Sequence, residues 1–92
     1  MTQNKDLIPF NEWSRGRIEK NSKFMTSRHK EYKEDHRVWK ILPKMRWGDI
    51  RDKYWMLEGA RSPDELQNVI EDIYKRKVPD DEMFYVHFGD FR

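Results

Sequence analysis

The apolar positions of the chain follow two periods. Between residues 62 and 77, Leu66, Val69, Ile70, Ile73 and Tyr74 recur at i, i+3, i+4, i+7 and i+8, the stripe of an amphipathic helix. Ser62 stands at the N-cap, Pro63 at the first helical position and Glu65 three residues after the cap, so a capping box opens this helix, while Lys75, Arg76 and Lys77 suit its carbonyl end. A weaker helix is predicted from its cap Asn11 to Lys20, with Phe10, Trp13 and Ile18 as a thin apolar stripe and Gly16 in its middle. Elsewhere apolar residues alternate with polar ones, the period of a strand. Residues 23–28, 38–42, 50–57 and 83–88 read as strands. In 50–57, Ile50, Tyr54 and Met56 share a face, and in 83–88 Phe84, Val86 and Phe88 do. Pro43 stops the second strand, 44–48 and 78–82 form turns, and 29–37 is a charged loop too polar for burial. Trp39 reads as a core residue of its strand. Four or five strands and two helices without βαβ alternation give an α+β domain with a mostly antiparallel sheet.

Composition sharpens this picture. Ninety-two residues make one domain, assigned to 7–92 with 1–6 as a disordered polar tail, and its core is small. A charged fraction of 39% and a mean hydropathy of −1.16 lean toward disorder, but four Trp, four Tyr and five Phe supply the apolar area that disordered segments lack. The chain has no cysteine, which excludes a disulfide frame and a thiolate metal site. Nothing resembles a signal peptide or a membrane span, so a soluble, cytoplasmic protein is expected, with no membrane partner. The net charge of +2 conceals an asymmetry: residues 1–53 carry fourteen Lys and Arg against eight Asp and Glu, net +6, and residues 54–92 carry five against nine, net −4. An anionic partner belongs on the basic half.

Candidate chemistry gathers in residues 21–28. Thr26 and Arg28 fall on one face of their strand, and Lys23 joins them where a bend at the strand's start re-aims it. The same octet also reads as an exposed edge strand with solvated charges. A desolvated Lys can act as a base, a neighbouring Thr hydroxyl as a nucleophile and a nearby carboxylate as a proton donor. His29 and His36 lie seven apart and His87 is remote, so no metal-ligand spacing exists. A Gly-rich phosphate loop, a nucleophile elbow and a Cys nucleophile are all missing, and no cofactor is expected. A binding function needs less: Lys23, Arg28, Lys30, Lys33, Arg37 and Lys40, with Tyr32 and Trp39 interleaved, suit a phosphate backbone and stacked bases.

The run Asn21, Lys23, Thr26, Arg28 resembles the Gly-x-Lys-x-x-Glu/Thr-x-Arg motif of ASCH domains, small relatives of the RNA-binding PUA fold, with Asn21 in place of the glycine. Asn is the residue that next best tolerates the left-handed conformation wanted there. Phe10 to Arg28 and Glu65 to Phe88 are similar to the opening and ending of the small ASCH proteins that hydrolyse acetylcytidine, while residues 29–57 match poorly. The resemblance implies a small PUA-like barrel with two helices and an RNA or nucleoside partner. It implies catalytic roles for Lys23 and Thr26, for Glu58 across a one-residue gap, and an anchoring role for Arg28. Two functions stay open: hydrolysis, of amidohydrolase or ribonuclease type, and non-catalytic binding of single-stranded nucleic acid through Arg28, Lys30, Lys33, Arg37, Lys40 and Tyr32.

Overall fold

The computed structural model describes residues 7–20 and 23–92. The expected tail, 1–6, and Asn21, expected to be left-handed, lie outside the described residues. Along the chain come α1 (Glu12–Glu19), β1 (Met25–Arg28), β2 (Val38–Ile41), β3 (Met45–Arg46), α2 (Trp47–Tyr54), α3 (Pro63–Tyr74) and β4 (Met83–Gly89). The α+β class holds, with three helices and a four-stranded antiparallel sheet that does not close.

The last strand is the axis of the sheet. β1 pairs antiparallel along it from Met25 opposite Phe88 to Arg28 opposite Tyr85. β2 takes its other edge, with Val38 opposite Gly89 and Ile41 opposite His87, and β3 pairs with its start, Met45 opposite Phe84. Every strand therefore depends on 83–89, the alternating run with the strongest strand propensities in the sequence. At Gly89 a Cβ would collide with the carbonyl oxygen of Arg37, so only glycine lets β2 approach this closely.

Both helices expected from the sequence form. The Asn11 side chain accepts from the Ser14 N–H, and Ser62 Oγ accepts from the Glu65 N–H at 3.0 Å, so each cap satisfies an amide that the first helical turn leaves free. The returning half of the capping box goes one residue further out, since the Glu65 carboxylate accepts from the Arg61 N–H at 2.9 Å. α3 stops at Tyr74 because Lys75 is left-handed, φ 56°, which leaves Lys75, Arg76 and Lys77 beyond the helix rather than in its last turn.

Residues 50–57 are not a strand. α2 covers Trp47–Tyr54, and two backbone bonds close the turns after it: the Ala60 N–H donates to the Trp55 carbonyl and the Gly59 N–H to the Met56 carbonyl, with Gly59 at φ 94°. This is the closure that glycine gives a helix C-terminus. Trp47, Ile50, Tyr54 and Trp55 fall at i, i+3, i+7 and i+8, a helical period that outweighs the alternation of Ile50, Tyr54 and Met56.

The main core consists of Met25, Trp47, Ile50, Ala60, Leu66, Ile70, Val78, Phe84 and Val86, so α2 and α3 cover the sheet together. A smaller cluster of Ile8, Ile18 and Phe91 ties α1 to the two ends of the domain. Trp39 is in neither: β2 is an edge strand with an irregularity at this residue, and the side chain is 70% exposed. The loop 29–37 also departs from expectation, because Asp35 is buried. Its carboxylate accepts from the Ile8 N–H at 3.0 Å, the Arg37 N–H at 3.0 Å and the Arg37 guanidinium at 2.6 Å, which replaces the water it loses. Among the described residues no helix is long and apolar enough to cross a membrane.

Candidate functional site

A cleft opens between β1, the end of the α2 turns and one side of α3, and Trp13 of α1 reaches it. Lys23, Thr26, Arg28 and Glu58 all line it, together with Ser27, Val69, Ile73 and Tyr74. Its cavity volume is about 40 Å³, the space of roughly three waters at about 10–15 Å³ of such volume each.

Each side chain arrives for a local reason. Lys23 and Phe24 precede the regular strand, and the Phe24 and Met25 N–H groups both donate to the Leu57 carbonyl, at 2.7 and 3.0 Å. Lys23 therefore escapes the alternation that would otherwise send it to the far face from Thr26. Glu58 is placed by the glycine closure after α2: its own N–H donates to the Tyr54 carbonyl while Gly59 turns the chain away. Val69 and Ile73 sit on the side of the α3 stripe that faces the cleft. Ile73 is accordingly 42% exposed and Val69 only half-buried, although both belong to the apolar stripe of the sequence.

The centre of the site is a buried ion pair. Lys23 Nζ donates to Glu58 Oε1 at 2.7 Å and to the Glu58 carbonyl at 3.0 Å, and Ser27 Oγ donates to Glu58 Oε2 at 2.8 Å. Lys23 and Glu58 are 4% and 3% exposed, so each is the main compensation for burying the other. Loss of hydration lowers the Lys23 pKa; the charge and hydrogen bond of Glu58 oppose this, and the nearby Arg28 charge adds to it. Thr26 Oγ1 accepts from Arg28 Nε at 3.2 Å. Among the described residues no hydrogen bond joins Lys23 to Thr26.

The other nominated side chains are spread over a different surface. Arg37 is held by Asp35, donates to the Ile8 carbonyl and lies over the rings of Phe10 and Phe91. The Tyr32 N–H donates to His87 Nε2 at 3.0 Å, which requires that nitrogen to be unprotonated, and burial pushes the His87 pKa down. Lys30 sits over the Tyr32 ring, and Lys33 is 3.8 Å from Glu31. Lys33 and Lys40 border a groove with Trp39 and Glu31, whereas Lys30, Tyr32 and Arg37 do not line it. Sequence reasoning missed Ser27 and Tyr74. Ser27 carries no signal beyond its place next to Thr26, but Tyr74 had one, a hydroxyl at the end of the apolar stripe of α3. Among the described residues no three His, Cys, Asp or Glu side chains gather as metal ligands.

Comparison with protein-family models, with curated proteins and with solved structures finds no match to this chain. The cleft's own geometry therefore carries the functional reading of this small α+β protein.

Proposed function

We propose that the chain is an ASCH-type domain, its open sheet a reduced form of the PUA-like barrel, which acts on RNA or modified nucleosides as an amidohydrolase through the Lys23, Thr26, Arg28 and Glu58 cleft. One observation carries this reading: the stretch 23–28 and the distant Glu58 bring four side chains to a single cleft, with Lys23 and Glu58 in direct contact. The cavity has room for an amide-sized group, with the rest of a ligand lying over its mouth.

Ligand that expels the remaining water favours transfer of the Lys23 proton to Glu58, since loss of hydration disfavours the charged ammonium. Neutral Lys23 then takes the Thr26 proton as Oγ1 bonds to the acyl carbon. The C–N bond breaks as Glu58 returns its proton to the leaving amine, which leaves an ester on Thr26 and the original ion pair. Water attacks the ester, giving its proton to Glu58 while Lys23 protonates Thr26 Oγ1, and the acid departs. Arg28 Nε, once Thr26 releases it, donates to the oxygen that becomes negative. For the first step Lys23 exchanges one of its bonds to Glu58 for one to Thr26, and Thr26 releases Arg28.

The test is turnover of N4-acetylcytidine and of a short RNA. Lys23→Ala and Thr26→Ala are each expected to abolish it, the double variant losing little more than either single one, because groups that act as a unit are not additive. Binding should persist in Thr26→Ala. Turnover of neither substrate, or full activity in Thr26→Ala, would end the hydrolase reading.

A second reading, binding of single-stranded nucleic acid without chemistry, is favoured by the exposed Trp39 beside Lys33 and Lys40. About three to five phosphate contacts would make log affinity fall against log salt with a slope of about −2 to −4, and Trp39→Ala would weaken binding at every salt concentration. Binding indifferent to salt and to Trp39 would exclude it.

A further inference from the structure

The arginines of this protein divide by how their charge is met. Arg17, Arg37, Arg51, Arg76 and Arg92 each lie within 4 Å of a carboxylate, belonging to Glu65, Asp35, Asp52 with Asp80, Glu82 and Asp90 respectively. Arg15, Arg46 and Arg61 are exposed to water. Arg28 has neither arrangement. It is half-buried in the cleft, its Nε is spent on Thr26 Oγ1, and no carboxylate stands within 4 Å of it among the described residues. One side of its guanidinium lies over the Phe10 ring, 5.3 Å from the centroid.

The charges around it explain why no carboxylate among the described residues fills this role. Glu58, the acid that acts on Arg28 most strongly, is already held by Lys23 and Ser27. Glu82, beyond Tyr74, is engaged by both Arg76 and His29. With Lys23 and Glu58 cancelling each other, the cleft keeps one uncompensated positive charge. The terminal nitrogens of Arg28 retain their four N–H donors, in the planar fork that suits two oxygens of one anion.

We propose that Arg28 is an anion subsite for the phosphate of a nucleotide, so that the cleft takes a phosphate-bearing nucleotide or an RNA residue in preference to a free nucleoside. This inference rests on the nucleoside-directed reading above and fixes the substrate class within it. A neutral nucleoside leaves the charge of Arg28 unmet, whereas one phosphate oxygen pair replaces the water that burial has removed.

The test is titration of the full chain with cytidine, cytidine 5′-monophosphate, a cytidine dinucleotide and inorganic phosphate at about 50 mM salt, repeated with Arg28→Gln and Arg28→Lys. The monophosphate is expected to bind about tenfold or more tightly than cytidine, as a charge-assisted bond would give. That ratio should collapse toward one in Arg28→Gln and partly return in Arg28→Lys. A dinucleotide that gains as much as the monophosphate identifies a diester as sufficient; a gain for the monophosphate alone identifies a terminal phosphate. On the wild-type chain, the Arg28 side-chain NMR signals should shift with inorganic phosphate, which keeps the test valid if a variant fails to fold. Equal affinity for cytidine and its monophosphate, or a preference that survives Arg28→Gln, overturns the subsite and leaves the nucleoside reading intact. Phosphate bound at Arg28 with no response to cytidine has the opposite meaning: the subsite stands and the nucleoside reading falls. No response to any of the four probes overturns both.

Discussion

Gly16 occupies the middle of α1 with nothing within 4 Å of where a Cβ would stand. The glycine therefore contributes flexibility to the unfolded chain without allowing any close contact in the folded one. Gly16→Ala is expected to raise stability by about 0.5–1 kcal/mol, seen as a higher midpoint in chemical denaturation; a lower midpoint would mean that α1 packs differently. The opposite case is Gly89, where the Arg37 carbonyl occupies the space of a side chain. At the same scale, Asp35 and Arg37 illustrate how misleading a polar run can be. The sequence His-Lys-Glu-Tyr-Lys-Glu-Asp-His-Arg reads as a solvated loop, yet the carboxylate at its seventh position is buried and organises both the loop and the chain before α1.

Among the elements, α3 was the most legible, because its cap, its proline and its apolar spacing agree with one another. The width of its stripe had a second meaning. All five residues border the cleft, but Leu66 and Ile70 are buried in the core, while Val69, Ile73 and Tyr74 are less buried and Ile73 is exposed. Ile70→Ala should then cost roughly 2–5 kcal/mol, a large part of the stability of so small a domain. Ile73→Ala should cost clearly less, and thermal melts of the two variants give the comparison; equal losses would place Ile73 in the core. α2 was illegible for the complementary reason. Its aromatic residues serve either period over a short window, and the glycine that ends it reads equally well as the end of a strand.

For the molecule as a whole, acid sensitivity follows from the charge network. Glu82 accepts from Arg76 twice at 2.7 Å and lies 2.7 Å from His29, and these partners hold its pKa at about 2 against an ordinary 4.5. The hydrogen bonds and charge of Arg37, with the Ile8 amide, hold Asp35 below the usual carboxylate range against the opposing effect of burial. Burial depresses the His87 pKa. In all three cases the unfolded chain binds the proton first as pH falls, so stability present at neutral pH is lost on acidification. The loss should begin below the ordinary His pKa of 6.5 and steepen between 4.5 and about 2. Melting temperatures measured from pH 7 down to pH 3 should fall in that manner, and Glu82→Gln should lessen the slope in its lower part; a flat profile would contradict the network.

The sequence by itself determined the local features: the caps of α1 and α3, the strand character of 83–88, the α+β class, and which side chains have the chemistry of a site. These depend on neighbours within a few residues, where spacing and backbone preference are decisive. Tertiary structure alone decided the rest. It made 47–54 a helix, left the sheet open, exposed Trp39 and buried Asp35, since each outcome depends on which distant surface an element meets. It also brought Glu58 to 2.7 Å from Lys23, thirty-five residues earlier, and, among the described residues, left Arg28 with no carboxylate within 4 Å. Pairing of charges is a property of positions in space, and residue order along a chain does not specify which acid a given base will reach.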